Sequence, residues 1–432
     1  MRVIVIGAGG REHALAWRLA SSPSVGKLRV WPGNGGTELA GWALVDPTLA
    51  AAAGADAQAA ALAAQAPDLV VIGPEAPLVA GLADALRARG IAVFGPGAAG
   101  ARLEGSKLFA KAFCERHGLP TARAWAVASL AELDAALAAA GEAVVLKADG
   151  LAGGKGVLLL DARAEARAAG AAMLAGESFG AAGRRLLVEE RLEGYEVSLL
   201  AVCDGERFCL LPPSQDHKRV GAGDRGPNTG GMGAYSPVAP IGEAELSALG
   251  APLIARSLAG LAAEGIDYRG LLYAGLMITA QGPRLLEFNC RFGDPETQAV
   301  LPRVTGDFGR LLAGAAAGRL EPEAIALRPE ASLCVVLAAE GYPGDYRVGE
   351  PISGLEPQPG DGETQFVFHA GTRLESGRLL SAGGRVLAVT ALGRDLPQAA
   401  ERCYQRLDTV RFANRYLRRD IGWRALSKGG GR

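Results

Sequence analysis

Short apolar runs separated by glycine- and proline-rich turns organise the first hundred residues. Residues 3–6, 28–31, 69–72 and 92–94 read as buried strands, and residues 12–20, 49–65 and 77–89 carry helical patterns. Each strand runs into a turn: GAGGREH, PGNGG, GPEAP or GPG. Strand–helix alternation of this kind predicts a doubly wound parallel sheet, with ligands beyond the carboxyl ends of its strands. A helix at 105–117, strands at 143–148 and 157–160 around the glycine-rich DGLAGGKGV, and a helix at 165–175 follow. Then come strands at 186–190 and 196–202, a polar loop over 212–240, and a hairpin pairing 271–278 with 284–291 across a turn at 280–283. A helix at 306–317 closes this block. Strands at 332–339, 364–369 and 385–392 and a helix at 396–410 form a small α+β unit.

Composition narrows the class. A chain of 432 residues with 49% hydrophobic and 21% charged residues is an ordinary multidomain globular protein. A formal net charge of −1 gives no global attraction to nucleic acid or to an anionic membrane. The six cysteines lack zinc spacing and suit free thiols in a reducing cytoplasm. The opening MRVIVIG is a strand, not a leader peptide, and no apolar run reads as long enough to span a bilayer. These features give a cytoplasmic expectation.

The chemistry concentrates in LLEFNCRFGDPETQ. As a strand it puts Phe288, Cys290 and Phe292 on one face and Glu287, Asn289 and Arg291 on the other. Glu and Asn supply the hard oxygens Mg²⁺ prefers, and Arg supplies a fork for phosphate or carboxylate. Gly293, Asp294 and Glu296 follow in a turn. The alternative is a solvated edge strand carrying a surface ion pair.

Among the glycine loops, Gly7-Ala8-Gly9-Gly10-Arg11-Glu12 opens a helix, but Glu12 replaces the third glycine and no acid ends the second strand, which argues against NAD. It is either a phosphate cradle at a helix N-terminus or a tight turn. The loop from Gly150 through Gly153, Gly154, Lys155 and Gly156 fails as a P-loop and lies between two strands, where it can fold over a triphosphate or serve as a flexible turn. Lys147 ends an apolar strand and Lys107 begins a helix, where a cation opposes the macrodipole unless an anion is near. With the Glu287 face they propose a Mg-nucleotide site. The stretch Glu189, Glu190, Arg191, Leu192 reads as an adenine-pairing segment, with Glu189 taking the exocyclic amine and Glu196 the ribose; the alternative is a charged linker. The SQDHKR…GGMGAYSP stretch is too long for a bare connector. His217 has neither metal nor triad partners in sequence, and His13 and His369 read as structural or substrate-positioning.

GAGGREHALAW, GPEAPLV, LEGSK, LKADGLAGGKGV, the long central loop, LEFNCRFGDPETQ, FHAGT and DIGWRAL together resemble one family closely, the glycinamide ribonucleotide synthetases of the ATP-grasp superfamily. The resemblance implies an N-terminal preATP-grasp domain (1–101), a central ATP-grasp subdomain (102–122 and 188–325), a lid (123–187) and a C-terminal domain (326–426), and the Gly-rich end (427–432) reads as a disordered tail. It implies ATP as co-substrate, Mg²⁺ or Mn²⁺ on Glu287 and Asn289, and phosphate contacts from Lys107, Lys147 and the glycine loop. Adenine and ribose would meet Glu189, Glu190, Leu192 and Glu196. Glycine and 5-phosphoribosylamine would meet Gly9, Gly10, Arg11, Glu12, Pro74, Glu75, Asp216, Gly293 and the catalytic pair Arg291 and Asp294. A monomer is expected, with a dimer as the alternative. The rival readings are an ATP-grasp carboxylase and a nucleotide-binding regulatory module.

Overall fold

The computed structural model describes residues 1–151, 156–178, 183–239 and 241–426. Gly153, Gly154, Lys155 and the tail 427–432 lie outside the described residues. At the N-terminus, strands Lys27–Pro32, Arg2–Gly7, Leu69–Ile72 and Val93–Phe94 pair in that order, all parallel. Val3 to Ile6 and Leu69 to Ile72 are buried throughout, as continuous apolar runs in a sheet covered on both faces must be. Two expected helices are each broken in two. Pro47–Ala51 and Gly54–Ala64 replace the first, and Glu75–Val79 and Leu82–Arg87 the second, with Gly54 and Gly81 at positive φ at the breaks. The helix expected from residue 105 begins instead at Lys107, after a separate helix Ala98–Gly105; the Ser106 hydroxyl caps it by accepting from the Phe109 amide at 3.1 Å.

Two antiparallel four-stranded sheets form the middle of the chain. One is ordered Phe208–Leu210, Tyr195–Asp204, Arg269–Thr279, Gly282–Asn289. The other is ordered Ala124–Val127, Leu186–Glu190, Val144–Ala148, Val157–Leu160, with helices Leu130–Ala140 and Arg163–Leu174 packed on it. Helix Glu243–Ala263, which carries Gly250 and Pro252, was not among the expected elements. Gly250 is there for close approach: a Cβ on it would lie 1.8 Å from Leu199 Cδ1. The helix has 21 residues and a mean hydropathy of 1.4 over its most apolar window, so a run of bilayer-spanning length does exist. Here Leu246, Leu253, Ile254, Leu258 and Leu261 are buried in the core beside Leu199 and Leu276.

The expected polar loop 212–240 contains four short strands. Gln215–Asp216 and Gly233–Ser236 join a sheet with Ala331–Ala339, Arg385–Gly393, Gln365–His369 and Arg415–Tyr416, and Arg219–Gly221 pairs with Arg225–Asn228 as a hairpin. Hydrogen-bonded strands therefore tie the central segment into the C-terminal sheet.

Candidate active site

Strand Gly282–Asn289 delivers the polar face that its alternation predicts. Phe288, Cys290 and Phe292 are 3%, 0% and 1% exposed, while Glu287, Asn289 and Arg291 line a cavity of about 670 Å³. The solvated-edge reading is thereby excluded. Arg291 is heavily engaged. Its Nε donates to Glu75 Oε2 (3.1 Å), Nη2 to Glu104 Oε1 (2.7 Å) and to Asn289 Oδ1 (3.4 Å), and Nη1 to the Phe292 carbonyl (3.1 Å). A guanidinium has five N–H donors, so one on Nη1 is left. Glu104 is pushed up by burial, against the pull of Arg291; its other oxygen accepts from the Cys290 amide at 2.8 Å.

Three lysines converge opposite this face. Lys147 Nζ donates to the Leu286 carbonyl (2.9 Å) and pairs with Glu189 Oε2 (2.7 Å), whose Oε1 faces Lys111 Nζ at 2.7 Å. The Glu189 carboxylate therefore sits between two lysine side chains on the cavity wall. Lys107 donates to the Gly150 carbonyl at 3.3 Å and forms no ion pair among the described residues. Burial lowers its pKa, with Glu287 opposing. The anion that its helix start calls for is Asp149, which accepts from Ser106 Oγ (2.8 Å) and the Leu108 amide (3.2 Å). Gly156 closes the root of the glycine loop, its carbonyl accepting from the Ala148 amide at 2.8 Å.

Glu190, Leu192 and Glu196 line the same cavity, with apolar Ala110, Val145, Leu187 and Leu285. Glu190 sits at the rim, paired with Arg123 at 2.9 Å. Glu196 pairs with Lys218 at 2.8 Å, and Lys218 reaches Glu287 at 3.6 Å. Burial works against ionisation of Glu287, but Lys218, Lys147, Lys107 and Arg291 outweigh it and hold its carboxyl below the usual range. An ionised Glu287 beside Asn289 fits Mg²⁺ that takes its remaining ligands from water and substrate phosphates, and no cluster of three acidic, His or Cys ligands occurs among the described residues. Asp216 is raised to about 8 by burial, with Glu296, Glu196 and Glu287 adding and Lys218 opposing.

At the other end lies the N-terminal sheet. Gly9, Gly10, Glu12, Pro74 and Gly293 are not on the cavity wall, but Arg11, Glu75 and Asp294 are. Glu12 is 2% exposed and caps its own helix by accepting from the Gly9 amide at 2.7 Å. It fills space that a Cβ on Gly73 would enter, 2.2 Å from Glu12 Oε1. The missing third glycine is thus an internal cap. Asp294 pairs with Arg385 Nη2 at 3.1 Å and accepts from Gln298 Nε2 at 2.8 Å. Lys111, Glu104, Lys218 and Arg385 escaped the sequence reading; Lys111 alone had a local signal, one helical turn after Lys107.

Comparison with known proteins covers most of the chain. Three models, of the phosphoribosylglycinamide synthetase N domain, ATP-grasp (A) domain and C domain, match residues 1–104, 105–297 and 332–424. The chain belongs to the phosphoribosylglycinamide synthetase family. Phosphoribosylamine–glycine ligases of Vibrio cholerae and Allochromatium vinosum are 47% and 48% identical to it over 438 and 437 residues, with 99% of both chains covered in each case. The solved phosphoribosylamine–glycine ligase of Thermotoga maritima superposes with a TM-score of 0.85 at 35% identity, covering 98% of this chain and all of that one. A biotin carboxylase domain from Hydrogenobacter thermophilus shares the fold, with a TM-score of 0.71 at 16% identity, over 96% of this chain and 91% of that domain. Family membership makes this chain an ATP-dependent ligase of purine biosynthesis.

Proposed function

We propose that the chain joins glycine to 5-phosphoribosylamine through glycyl phosphate, giving glycinamide ribonucleotide, ADP and phosphate. The observation that carries the reading is one continuous cavity that takes in Lys107, Lys147, Glu287 and Asn289 at one end and Arg11, Glu75, Arg291 and Asp294 at the other. Lys107 and Lys147 hold ATP phosphates, the backbone of the stretch from Glu189 to Leu192 meets adenine, and Glu196 meets the ribose. Glu287 and Asn289 would hold Mg²⁺ or Mn²⁺, which neutralises phosphate charge when bound.

The glycine carboxylate attacks the γ-phosphorus, and the bond to the bridging oxygen of ADP breaks. The amine of phosphoribosylamine then attacks the acyl carbon; the carbon–oxygen bond to phosphate breaks, and the amine proton leaves with the phosphate. No enzyme nucleophile is needed. The chain's contribution is positioning and charge neutralisation. Arg291 offers its remaining N–H to the transferring group, and Asp294 receives the ammonium of glycine. Asp216 lines the same cavity, and the turns at residues 9–12 and 73–75, which reach it through Arg11 and Glu75, take the ribose phosphate and hydroxyls. The substrates are small molecules, with no nucleic acid or membrane partner, and a cytoplasmic monomer suffices.

ADP release, measured with glycine and phosphoribosylamine each omitted in turn, tests this. Release is expected to depend on both. Release that ignores them, or that bicarbonate supports in place of glycine, overturns it.

A further inference from the structure

The GAGDRG and DIGWRAL motifs have no role in the chemistry above, yet they meet. Arg418 is 1% exposed, and its guanidinium is spent on them. Nη1 donates to Asp224 Oδ1 and to the Arg219 carbonyl, both at 2.9 Å, while Nε and Nη2 hold Asp420 at 2.9 and 2.8 Å. Asp420 in turn accepts from the Gly223 amide at 2.7 Å. Asp224 also accepts from Trp423 Nε1 (3.1 Å) and Arg424 Nη2 (2.8 Å). Buried His217 joins the same knot: its Nε2 accepts from the Gly422 amide at 2.9 Å, which leaves the Nδ1 proton facing Asp224 at 3.4 Å.

This knot grips a hairpin with two contacts to the nucleotide end of the site. Just before the hairpin stands Lys218, paired with Glu196 and Glu287. At its far end, Asn228 Nδ2 donates to the Val157 carbonyl at 3.3 Å, on the strand that follows the glycine loop. Asp224 and Arg424 themselves line the cavity.

We propose that Arg418, acting through Asp224 and His217, is a positioning residue that holds Lys218 and the hairpin in place for Mg-nucleotide binding. A forked guanidinium is needed, because it serves two carboxylates and a carbonyl together; an ammonium has no fork. The inference rests on the assignment of Glu196 and Glu287 to the nucleotide and its metal.

Arg418→Lys and the isosteric Asp224→Asn test it, with Arg419→Ala, an exposed neighbour paired to Asp408, as control. Binding of a non-hydrolysable Mg-ATP analogue is measured by calorimetry without glycine or phosphoribosylamine, so failure of the ligase reading leaves this test standing. Both variants are expected to weaken nucleotide binding about tenfold or more, as loss of a supporting contact does. In turnover they should raise KM for Mg-ATP well above any change in KM for glycine, and Arg419→Ala should do neither. A folded variant with wild-type nucleotide affinity, or an effect confined to glycine, overturns the proposal. If neither variant folds, hydrogen exchange on the wild-type chain decides: nucleotide should slow exchange at the Gly223 and Gly422 amides, and unchanged rates overturn it.

Discussion

Replacing Glu189 by Gln leaves its geometry almost intact and removes one charge from a buried triad. Glu189, Lys111 and Lys147 are 2%, 7% and 6% exposed, and each lysine lies 2.7 Å from a different carboxylate oxygen. In the variant two buried ammonium groups lose their shared counter-charge. Breaking a buried pair by removing one partner costs about 3–5 kcal/mol. The lower end applies here, because Lys111 keeps Thr121 Oγ1 (2.7 Å) and the Ala122 carbonyl (3.0 Å), and Lys147 keeps the Leu286 carbonyl. The expected loss is about 3 kcal/mol of the unfolding free energy of the sheet that carries the triad. Adding Lys111→Met should restore most of it, since one buried ammonium and its desolvation disappear together. Urea unfolding followed by the fluorescence of Trp125, on a strand of the same sheet, reads both numbers. A single variant within about 1 kcal/mol of wild type, or a double variant no better than the single, refutes the triad as a charge-balanced unit.

Other outcomes follow from the same contacts. Glu287→Ala should stay folded by circular dichroism and lose at least about a hundredfold in kcat/KM for Mg-ATP, the upper end for a lost metal-site group; undiminished turnover would remove the metal assignment. Arg291→Lys keeps the charge but cannot reach Glu75, Glu104 and Asn289 together, so kcat should fall by a similar factor, read in the same assay. Gly73→Ala drives a methyl into Glu12 and should lower stability by about 1–3 kcal/mol in urea titration. Burial holds His369 neutral down to about 4, whereas the unfolded chain takes up that proton near pH 6.5. Stability contributed by this group is therefore present above pH 6.5 and lost as pH falls from 6.5 to 4, by about 3 kcal/mol in all; His369→Asn should flatten that part of the profile in equilibrium unfolding.

The alternation of apolar and polar residues was enough to place Glu287, Asn289 and Arg291 on one face, because a strand's period is a local property. Partners were not legible. Arg291 meets Glu75 and Glu104, which lie 216 and 187 positions away, and Glu189 meets Lys111 and Lys147 from two other elements. Such pairings are set by topology, and residue type alone reads each group as free for ligand. That is why Glu189 was read as a carboxylate for an adenine amine, with no sign of the two lysines that the fold places beside it. The helix Glu243–Ala263 was not among the expected elements, and what its Gly250 does, close packing against Leu199, depends on the fold.

Arg291 also changes meaning once its partners are counted. One N–H donor cannot by itself orient a carboxylate in the forked manner that its sequence context suggested. The other four donors go to Glu75 at the start of a helix beside the N-terminal sheet, Glu104 on the helix Ala98–Gly105, Asn289 on the strand Gly282–Asn289 and the Phe292 carbonyl. A guanidinium that bonds all three side chains fixes the distance between the end of the cavity lined by Lys107 and Glu287 and the end lined by Arg11 and Glu75. Two substrates that must react with each other need that distance to hold while phosphate is transferred at one end and the amine waits at the other. If Arg291 serves the reaction as proposed, this geometry makes it chiefly a strut through Glu75, Glu104 and Asn289, with one donor left for the transferring group.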